Sequence, residues 1–290
     1  MTGPSGLSGP SGLSGSSGPF GARLTAAVDA LGPLCVGIDP HGPLLRQWGL
    51  TDDADGLRRF ADVCVEAFAG HVAVVKPQSA FFERHGSRGI AVLEHLLAAF
   101  GGTSTLVLLD VKRGDIGSTM QGYADAYLAP GAPLGADAIT LSPFLGFGSL
   151  TQALDTASAA GRGVFVLART SNAEGVAVQA AVIGGGSVAQ SIVAGAAARN
   201  EGAAPLGAVG LVVGATADHG LDLAALNGPV LAPGLGAQGA GAADIAARFR
   251  DVRGLVLPAA SRSVLAAGPD VARLRAVARG LRDALAGAVA

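Results

Sequence analysis

The sequence predicts a (β/α)8 TIM barrel, an α/β fold in which eight parallel strands close into a cylinder covered by helices. Three observations lead to this prediction. Eight short apolar runs alternate with Ala-, Leu- and Arg-rich segments that have helical spacing. Each run is continuously apolar, which is typical of strands buried on both faces. The glycine fingerprint of a doubly wound open sheet, the alternative fold, does not follow the first run, where residues 39–42 read Asp-Pro-His-Gly.

The predicted elements follow one another in a regular order. The strands are expected at residues 34–38, 72–76, 105–110, 137–141, 163–168, 209–213, 229–232 and 254–257. The helices between and after them are expected at residues 57–69, 87–100, 118–129, 186–200, 240–250 and 269–288, and residues 22–31 predict an extra helix before the first strand. In such a barrel the catalytic groups lie at the carboxyl ends of the strands.

The chain divides into a short tail and one large body. Residues 1–20 are rich in Gly, Ser and Pro and contain the repeat GPSGLS twice, so we expect a flexible, disordered tail. Residues 21–290 show no break in composition, and we expect them to form one barrel domain.

Composition excludes several classes of protein. The net charge is -2 and the pI is about 6.2, which argues against a nucleic-acid partner. No apolar run approaches the roughly 20 residues of a membrane span, and no signal peptide is evident. Two cysteines, Cys35 and Cys64, predict buried thiols in a reducing cytoplasm rather than a disulfide. The five histidines lack metal-ligand spacing, so no metal is expected.

Lysine is rare in this chain. Of 20 basic residues only Lys76 and Lys112 are lysine, and both stand at the ends of apolar, strand-like runs. An ammonium is compact and can give up a proton, which guanidinium does not readily do. The two lysines are therefore candidate functional residues, with chance in an arginine-biased chain as the alternative.

The strongest local signal is Asp110-Val111-Lys112-Arg113-Gly114-Asp115. Residues two apart in a strand face the same side, so Asp110 and Lys112 are expected to point together into the barrel mouth. Carboxylates beside an ammonium keep it protonated. The lysine then serves as a fixed charge and proton donor where negative charge develops. The alternative is an ordinary surface ion pair, worth about 0–1 kcal/mol.

These residues also carry a resemblance to a known family. The stretch from Val107 to Met120 is similar to the signature of the orotidine 5'-phosphate decarboxylase family, with its D-x-K-x-x-D core, the following Ile-Gly and Thr119. The longer bacterial branch, type 2, is suggested by Ala-Phe-Phe-Glu at 80–83 and Arg-Thr-Ser-Asn at 169–172. The resemblance extends over nearly the whole body, through 36–39, 74–76, 166–172, 212–216 and 232–239.

The resemblance implies a cofactor-free decarboxylation of orotidine 5'-monophosphate to uridine 5'-monophosphate, the last step of de novo pyrimidine nucleotide synthesis. Lys112 would stabilise and then protonate the C6 carbanion, and Asp110 would lie near the departing carboxylate and position Lys112. Lys76 would join the charge network and contact the ribose. Asp115 and Thr119 would act across the interface of a homodimer.

The remaining implied contacts bind the nucleotide. Asp39 would accept hydrogen bonds from the ribose and Ser171 would bond the pyrimidine. Gln238, Gly236 and Arg262 would hold the phosphate, for which a guanidinium fork and close backbone approach are suited. The sequence departs from the family at Ala260-Ser261-Arg262, where Gly-Arg is usual, so the backbone donor at 261 is in doubt.

Three alternatives remain at this stage. A magnesium-dependent sugar-phosphate lyase of the same superfamily shares the D-x-K-x-x-D motif but needs an acidic residue where this chain has Lys76. A Schiff-base aldolase would need a lysine of lowered pKa, and the flanking carboxylates oppose that. A non-catalytic phosphate-binding barrel would have no need of a lysine held between acids.

Overall fold

Every predicted strand forms, and the eight strands close into a parallel barrel. The computed structural model describes residues 18–216, 218–236, 239–252 and 254–289. The strands are β1 (Cys35–Ile38), β2 (Val74–Pro77), β3 (Leu106–Arg113), β4 (Ala138–Leu141), β5 (Gly163–Arg169), the hairpin strands β6 (Val182–Ile183) and β7 (Gly186–Ser187), and then β8 (Val209–Val213), β9 (Val230–Pro233) and β10 (Val256–Ala260).

The order around the barrel is β1-β10-β9-β8-β5-β4-β3-β2. Because β1 pairs in parallel with both β2 and β10, the sheet has no free edge and the open-sheet alternative is excluded. The hairpin β6–β7 lies outside the barrel.

Helices separate most of the consecutive barrel strands and cover the outside; in the described part of the chain, no helix lies between β8 and β9. They are α1 (Phe20–Leu31), α2 (Gly42–Gln47), α3 (Ala54–Phe68), α4 (Ala80–Glu83), α5 (Gly86–Phe100), α6 (Gly117–Tyr127), α7 (Thr151–Ala159), α8 (Val176–Gln179), α9 (Val188–Arg199), α10 (Ala242–Arg248), α11 (Arg262–Leu265) and α12 (Val271–Val289). Two boundaries differ from prediction because of capping. Asp53 accepts a hydrogen bond from the Gly56 N–H, so α3 begins at 54 rather than 57. Residues 186 and 187 belong to the hairpin, and Ser187 caps α9, which therefore begins at 188.

The helix α1, predicted ahead of the first strand, closes the amino-terminal end of the barrel. Phe20 and Leu24 are buried in the same apolar cluster as Phe165 of β5, and the two phenyl rings meet edge to face at 6.1 Å. Burying each side chain contributes about 2 kcal/mol. The cavity described below therefore opens at the other, carboxyl end of the strands. The predicted tail, residues 1–20, falls outside the described residues except for 18–20.

Candidate active site

A cavity of about 550 Å³ opens at the carboxyl ends of the barrel strands. Such a volume is in the range of small-molecule sites. Its polar lining comes from several different strands and includes Asp39, Lys76, Gln78, Asp110, Lys112, Thr140, Ser171 and Arg262. The fold thus brings together most of the site residues predicted from sequence.

The carboxylate of Asp110 is the centre of the polar network. It is 6 % exposed and accepts four hydrogen bonds, two on each oxygen. Lys76 Nζ at 2.8 Å and Gln78 Nε2 at 3.1 Å donate to Oδ2. Lys112 Nζ at 2.6 Å and the Thr140 hydroxyl at 2.8 Å donate to Oδ1. A buried charge paired and hydrogen-bonded this fully keeps one geometry.

The two lysines fix the protonation state of this carboxylate. Burial alone would raise the pKa of Asp110, but the nearby ammonium groups of Lys76 and Lys112 outweigh it and hold that pKa well below its usual range. Burial likewise would lower the pKa of Lys76, yet Asp110 and Asp39 raise it above its ordinary value. The site therefore holds an ionised aspartate and a protonated buried lysine across the physiological pH range.

Lys112 departs from strand geometry. Its φ is 45°, in the left-handed region that costs a non-glycine residue about 1 kcal/mol. The register between β3 and β4 shifts between Leu109 and Arg113, so the strand is irregular at Lys112. The prediction that Lys112 and Asp110 face together holds, but the contact rests on this irregularity rather than on simple strand alternation.

Lys112 is placed to meet a bound molecule. Its side chain is 45 % exposed, whereas Lys76 is 10 % exposed. Lys112 lines the cavity while its ammonium touches Asp110. The exposed lysine can thus contact a ligand, and the buried lysine holds the aspartate.

A second ion pair anchors the residue after Lys112. The guanidinium of Arg113 pairs with Glu83, which also accepts a hydrogen bond of 2.6 Å from the Ser79 hydroxyl. Arg113 also stacks over the ring of Tyr123, 5.6 Å from its centroid. Glu83 belongs to the Ala-Phe-Phe-Glu run noted in the sequence, so that run contacts the D-x-K-x-x-D segment directly.

Asp39 and Ser261 lie next to each other at the cavity wall. The Oδ1 atom of Asp39 and the hydroxyl of Ser261 are both buried without a hydrogen-bond partner among the described residues. Gly37 makes room for them: a Cβ there would lie 2.7 Å from Ser261 Cβ and 3.4 Å from Asp39 Oδ2. Unpaired buried polar atoms at a cavity wall are suited to a polar ligand.

The predicted nucleotide contacts lie on loops around the cavity. Ser171 follows β5, and Arg262 begins α11 after β10; both are exposed and line the cavity. Gly236 lies in the turn after β9 with a φ of 75°, where its N–H donates to the Ala240 carbonyl at 2.9 Å. Gln238 lies outside the described residues.

Asp115 and Thr119 do not line the cavity of their own chain. In the described part of the chain, the hydrogen bond recorded for the Asp115 side chain is with the Ile116 N–H at 2.8 Å. Thr119 is exposed on α6. The chain by itself therefore brings Asp110 and Lys76 to Lys112, and leaves Asp115 apart from them.

Two residues of the network were missed from sequence. Gln78 follows β2 immediately after Lys76-Pro77, and Thr140 lies inside the apolar run of β4. A single polar residue near the carboxyl end of a fully buried strand is the signal that could have identified Thr140, because that end carries the chemistry in a barrel.

The two cysteines are buried, and burial affects the pKa of each thiol. Burial raises the pKa of the Cys35 thiol to about 12 and that of Cys64 well above its usual range. Both are free thiols.

Across the described residues, no group of three or more His, Cys, Asp or Glu side chains is arranged to hold a metal ion. Over the same residues, no helix combines the length and apolarity needed to cross a membrane.

The closed parallel barrel with a lysine–aspartate network at its carboxyl mouth defines an enzyme of the (β/α)8 class. The model of the "Orotidine 5'-phosphate decarboxylase / HUMPS family" matches residues 32–277. The chain belongs to this family.

Three proteins are similar to this chain over most of its length. The orotidine 5'-phosphate decarboxylase of Salinispora arenicola is 63 % identical over 261 residues, which cover 89 % of this chain and 94 % of the relative. That of Streptomyces coelicolor is 56 % identical over 263 residues, covering 90 % and 94 %. A crystal structure of a Streptomyces avermitilis protein assigned to the same activity superposes with a TM-score of 0.92 at 54 % identity, covering 94 % of this chain and 97 % of that one.

Proposed function

We propose that this enzyme converts orotidine 5'-monophosphate to uridine 5'-monophosphate and CO2 without a cofactor, as the last step of de novo pyrimidine nucleotide synthesis. The observation that carries the proposal is the Lys112 ammonium, 2.6 Å from the buried carboxylate of Asp110 and facing the cavity. The names of the relatives support this substrate.

Lys112 supplies the stabilisation that the reaction needs. When the bond between C6 and the carboxylate breaks, CO2 leaves and the electron pair stays on C6, in the plane of the ring. The ring offers no conjugated sink for this pair, so a fixed positive charge must stabilise it. The ammonium of Lys112 meets that need and then transfers a proton from Nζ to C6. Solvent returns a proton to the lysine after the product leaves.

Asp110 orients the ammonium and sits beside the departing carboxylate. Because Lys76 holds the other oxygen of Asp110 at 2.8 Å, the aspartate stays ionised and in place while Lys112 gives up its proton. A pre-arranged charge of this kind needs no rearrangement at the moment of reaction.

The cavity wall provides contacts for the rest of the nucleotide. Asp39, whose Oδ1 has no partner among the described residues, accepts hydrogen bonds from the ribose hydroxyls, and the Lys76 ammonium donates to the ribose. Ser171 bonds the pyrimidine from the loop after β5. Arg262 binds the phosphate, Gly236 allows the backbone of the turn after β9 to approach it closely, and Gln238 bridges the phosphate and the base.

We further propose that the enzyme works as a homodimer in which Asp115 and Thr119 complete the partner's site. Neither residue lines the cavity of its own chain, and exposed apolar side chains lie on the two loops that follow β3 and β4. Ile116 is 62 % exposed, and Phe144 in the adjoining loop after β4 is 79 % exposed. The two loops touch, because the Ser142 N–H donates to the Arg113 carbonyl at 2.7 Å. An apolar patch of this kind is typical of a protein interface.

Mixed dimers test the shared site directly. Lys112→Ala and Asp115→Asn variants are each expected to be nearly inactive. Mixing and reassembling them places an intact Lys112 and an intact Asp115 in one site of each mixed dimer, so about a quarter of the wild-type activity should return. No recovery in verified mixed dimers would contradict a site shared between subunits.

The decarboxylation itself is tested with purified protein in EDTA, by following the absorbance loss of orotidine 5'-monophosphate. Turnover that persists in the chelator is the expected result. No turnover would contradict the proposal, and loss of turnover only on chelation would favour the magnesium-dependent lyase. Lys76 argues against that lyase, because its ammonium would repel a divalent ion beside Asp110.

A cytoplasmic location completes the proposal. The two free, buried thiols fit a reducing compartment. Fractionation of cells with an antibody to the chain should place it in the soluble cytoplasmic fraction, and recovery outside it would contradict this.

A further inference from the structure

Thr140 occupies a central position in the lysine–aspartate network. Its side chain is buried, with 1 % of the residue exposed, in the middle of a strand that is otherwise apolar. Its hydroxyl oxygen accepts a hydrogen bond from the Lys112 backbone N–H at 2.9 Å. The same hydroxyl donates to Asp110 Oδ1 at 2.8 Å.

The direction of these two bonds is fixed by chemistry. A backbone N–H can only donate, so the threonine oxygen is the acceptor in the bond with Lys112. An ionised carboxylate can only accept, so the hydroxyl proton points at Asp110. One side chain thereby links the backbone of Lys112 to the carboxylate that its own ammonium contacts.

This link falls where the strand is irregular. Lys112 has a φ of 45°, and the β3–β4 register shifts across it. The Thr140 hydroxyl, rather than a backbone carbonyl, satisfies the Lys112 N–H at this position. An irregular backbone persists only where its surroundings hold it, and here a polar side chain of the neighbouring strand does so.

The Lys112 ammonium depends on this backbone for its placement. The side chain is 45 % exposed and long, and solvent offers it other conformations. The hydrogen bond from the ammonium to Asp110 at 2.6 Å selects one of these conformations, but only while the Lys112 main chain and the Asp110 carboxylate stay at the same distance from each other. Thr140 fixes this distance, because its hydroxyl is hydrogen-bonded both to the Lys112 main chain and to the Asp110 carboxylate.

We propose that Thr140 is a positioning residue for the decarboxylation. It acts by holding Lys112 and Asp110 in a fixed position relative to each other. This inference rests on the proposed function and adds to it a residue that does not itself supply the charge or the proton. The role predicts a defect in the chemical step rather than in the binding of the nucleotide.

Three variants of the full-length enzyme test the role. Thr140→Val keeps the side-chain shape and removes the hydroxyl, so kcat should fall by about 100-fold, the scale expected when a reacting group is displaced by about 1 Å. KM and the affinity for uridine 5'-monophosphate should change little. Thr140→Ser restores the hydroxyl and should recover most of the wild-type kcat.

Thr105→Val is the matched control for stability. Thr105 is also buried, at 2 % exposure, and its hydroxyl bonds the Phe68 and Val72 carbonyls at the opposite end of the barrel. This variant should lower the unfolding temperature and leave kcat per folded molecule unchanged. It therefore separates loss of a buried hydroxyl from loss of positioning.

The outcomes are distinguishable from failure of the proposed function. A wild-type enzyme without turnover would refute the function and this role with it. An active wild type with an equally active Thr140→Val variant would refute the role alone. A serine variant as slow as the valine variant, with both folded, would also overturn it, as would a valine defect confined to KM.

Discussion

Replacing Asp110 by asparagine removes the charge on which the network is built. The carboxylate accepts hydrogen bonds from Lys76 at 2.8 Å and Lys112 at 2.6 Å, and both its oxygens are saturated. Asparagine keeps the shape but offers an NH2 group in place of one oxygen. That group would face a lysine ammonium donor, so the substitution both removes attraction and introduces repulsion.

The size of the effect follows from distance and burial. Two unit charges 2.8 Å apart attract by about 6 kcal/mol at an effective dielectric constant of 20. Breaking a buried pair by removing one partner costs about 3–5 kcal/mol of stability, and we expect this range for the pair with buried Lys76. Exposed Lys112 adds less, because solvent screens it. Losing both orientation and fixed charge should lower kcat by about 10³-fold or more.

The assay compares Asp110→Asn with a matched variant at the other end of the barrel. Asp137 pairs with Arg23 at 2.5 Å and accepts from the Val107 N–H at 2.9 Å. Asp137→Asn should lower stability while kcat per folded molecule stays near wild type. Thermal unfolding, kcat and uridine 5'-monophosphate affinity are measured for both. An Asp110→Asn enzyme that is folded, binds the product and turns over within tenfold of wild type would refute the reasoning.

Three further outcomes follow from the geometry. Gly37→Ala should destabilise the protein by about 1–3 kcal/mol, because its Cβ would lie 2.7 Å from Ser261 Cβ, and Ser261→Gly in the same chain should restore most of the melting temperature. Asn200→Ala should cost about 3 kcal/mol in denaturant unfolding with unchanged kcat, because this buried amide makes three hydrogen bonds to backbone groups beside β8. The pKa of Asp110 is lower in the folded protein than its ordinary value of 3.8, so the ionised carboxylate stabilises the fold above pH 3.8 and ceases to do so as the pH falls through the folded pKa. The pKa of Lys76 is higher in the folded protein than its ordinary value of 10.5, so the protonated amine stabilises the fold below pH 10.5 and ceases to do so as the pH rises through the folded pKa. The contribution of this pair to stability should therefore be flat between about pH 4 and pH 10 in wild-type unfolding curves, and a clear slope that Lys76→Met abolishes would contradict it.

Much of the barrel could be read from the sequence, because buried parallel strands are continuous apolar runs. All eight strands begin within two residues of their predicted starts. The ends were harder to predict. β3 continues to Arg113, past the charged residues at which the apolar run stops, because pairing with β4 resumes after the irregularity at Lys112. Helix α7 was missed, and the small hairpin β6–β7 was not anticipated, since its residues lack strand periodicity.

The site was predictable where residue type alone carried the signal. Asp110, Lys112 and Lys76 stood out as charges following apolar runs, and the structure brings their side chains together. Thr140 and Gln78 could not be recognised in this way, since their roles depend on which strands are neighbours. The left-handed conformation of Lys112 could not be predicted from the sequence either, because non-glycine residues rarely adopt it and no typical turn residue stands next to it in the sequence to indicate it.

Ser261 shows how one departure from the family pattern is accommodated. The side chain lies over Gly37 on the neighbouring strand β1, where the absence of a Cβ leaves it room. It leaves its hydroxyl buried beside Asp39, at the cavity wall. The sequence alone left open whether this residue crowds the site, because the compensating glycine lies more than 200 positions earlier.

The central claim is that the Lys112 ammonium stabilises the carbanion at C6 and protonates it. The most direct measurement is kcat of Lys112→Ala on protein shown by calorimetry to bind uridine 5'-monophosphate. The account predicts retained binding with kcat lower by at least about 10³-fold, the scale of losing a fixed charge aimed at the reacting atom. Retained binding with kcat within tenfold of wild type would contradict it.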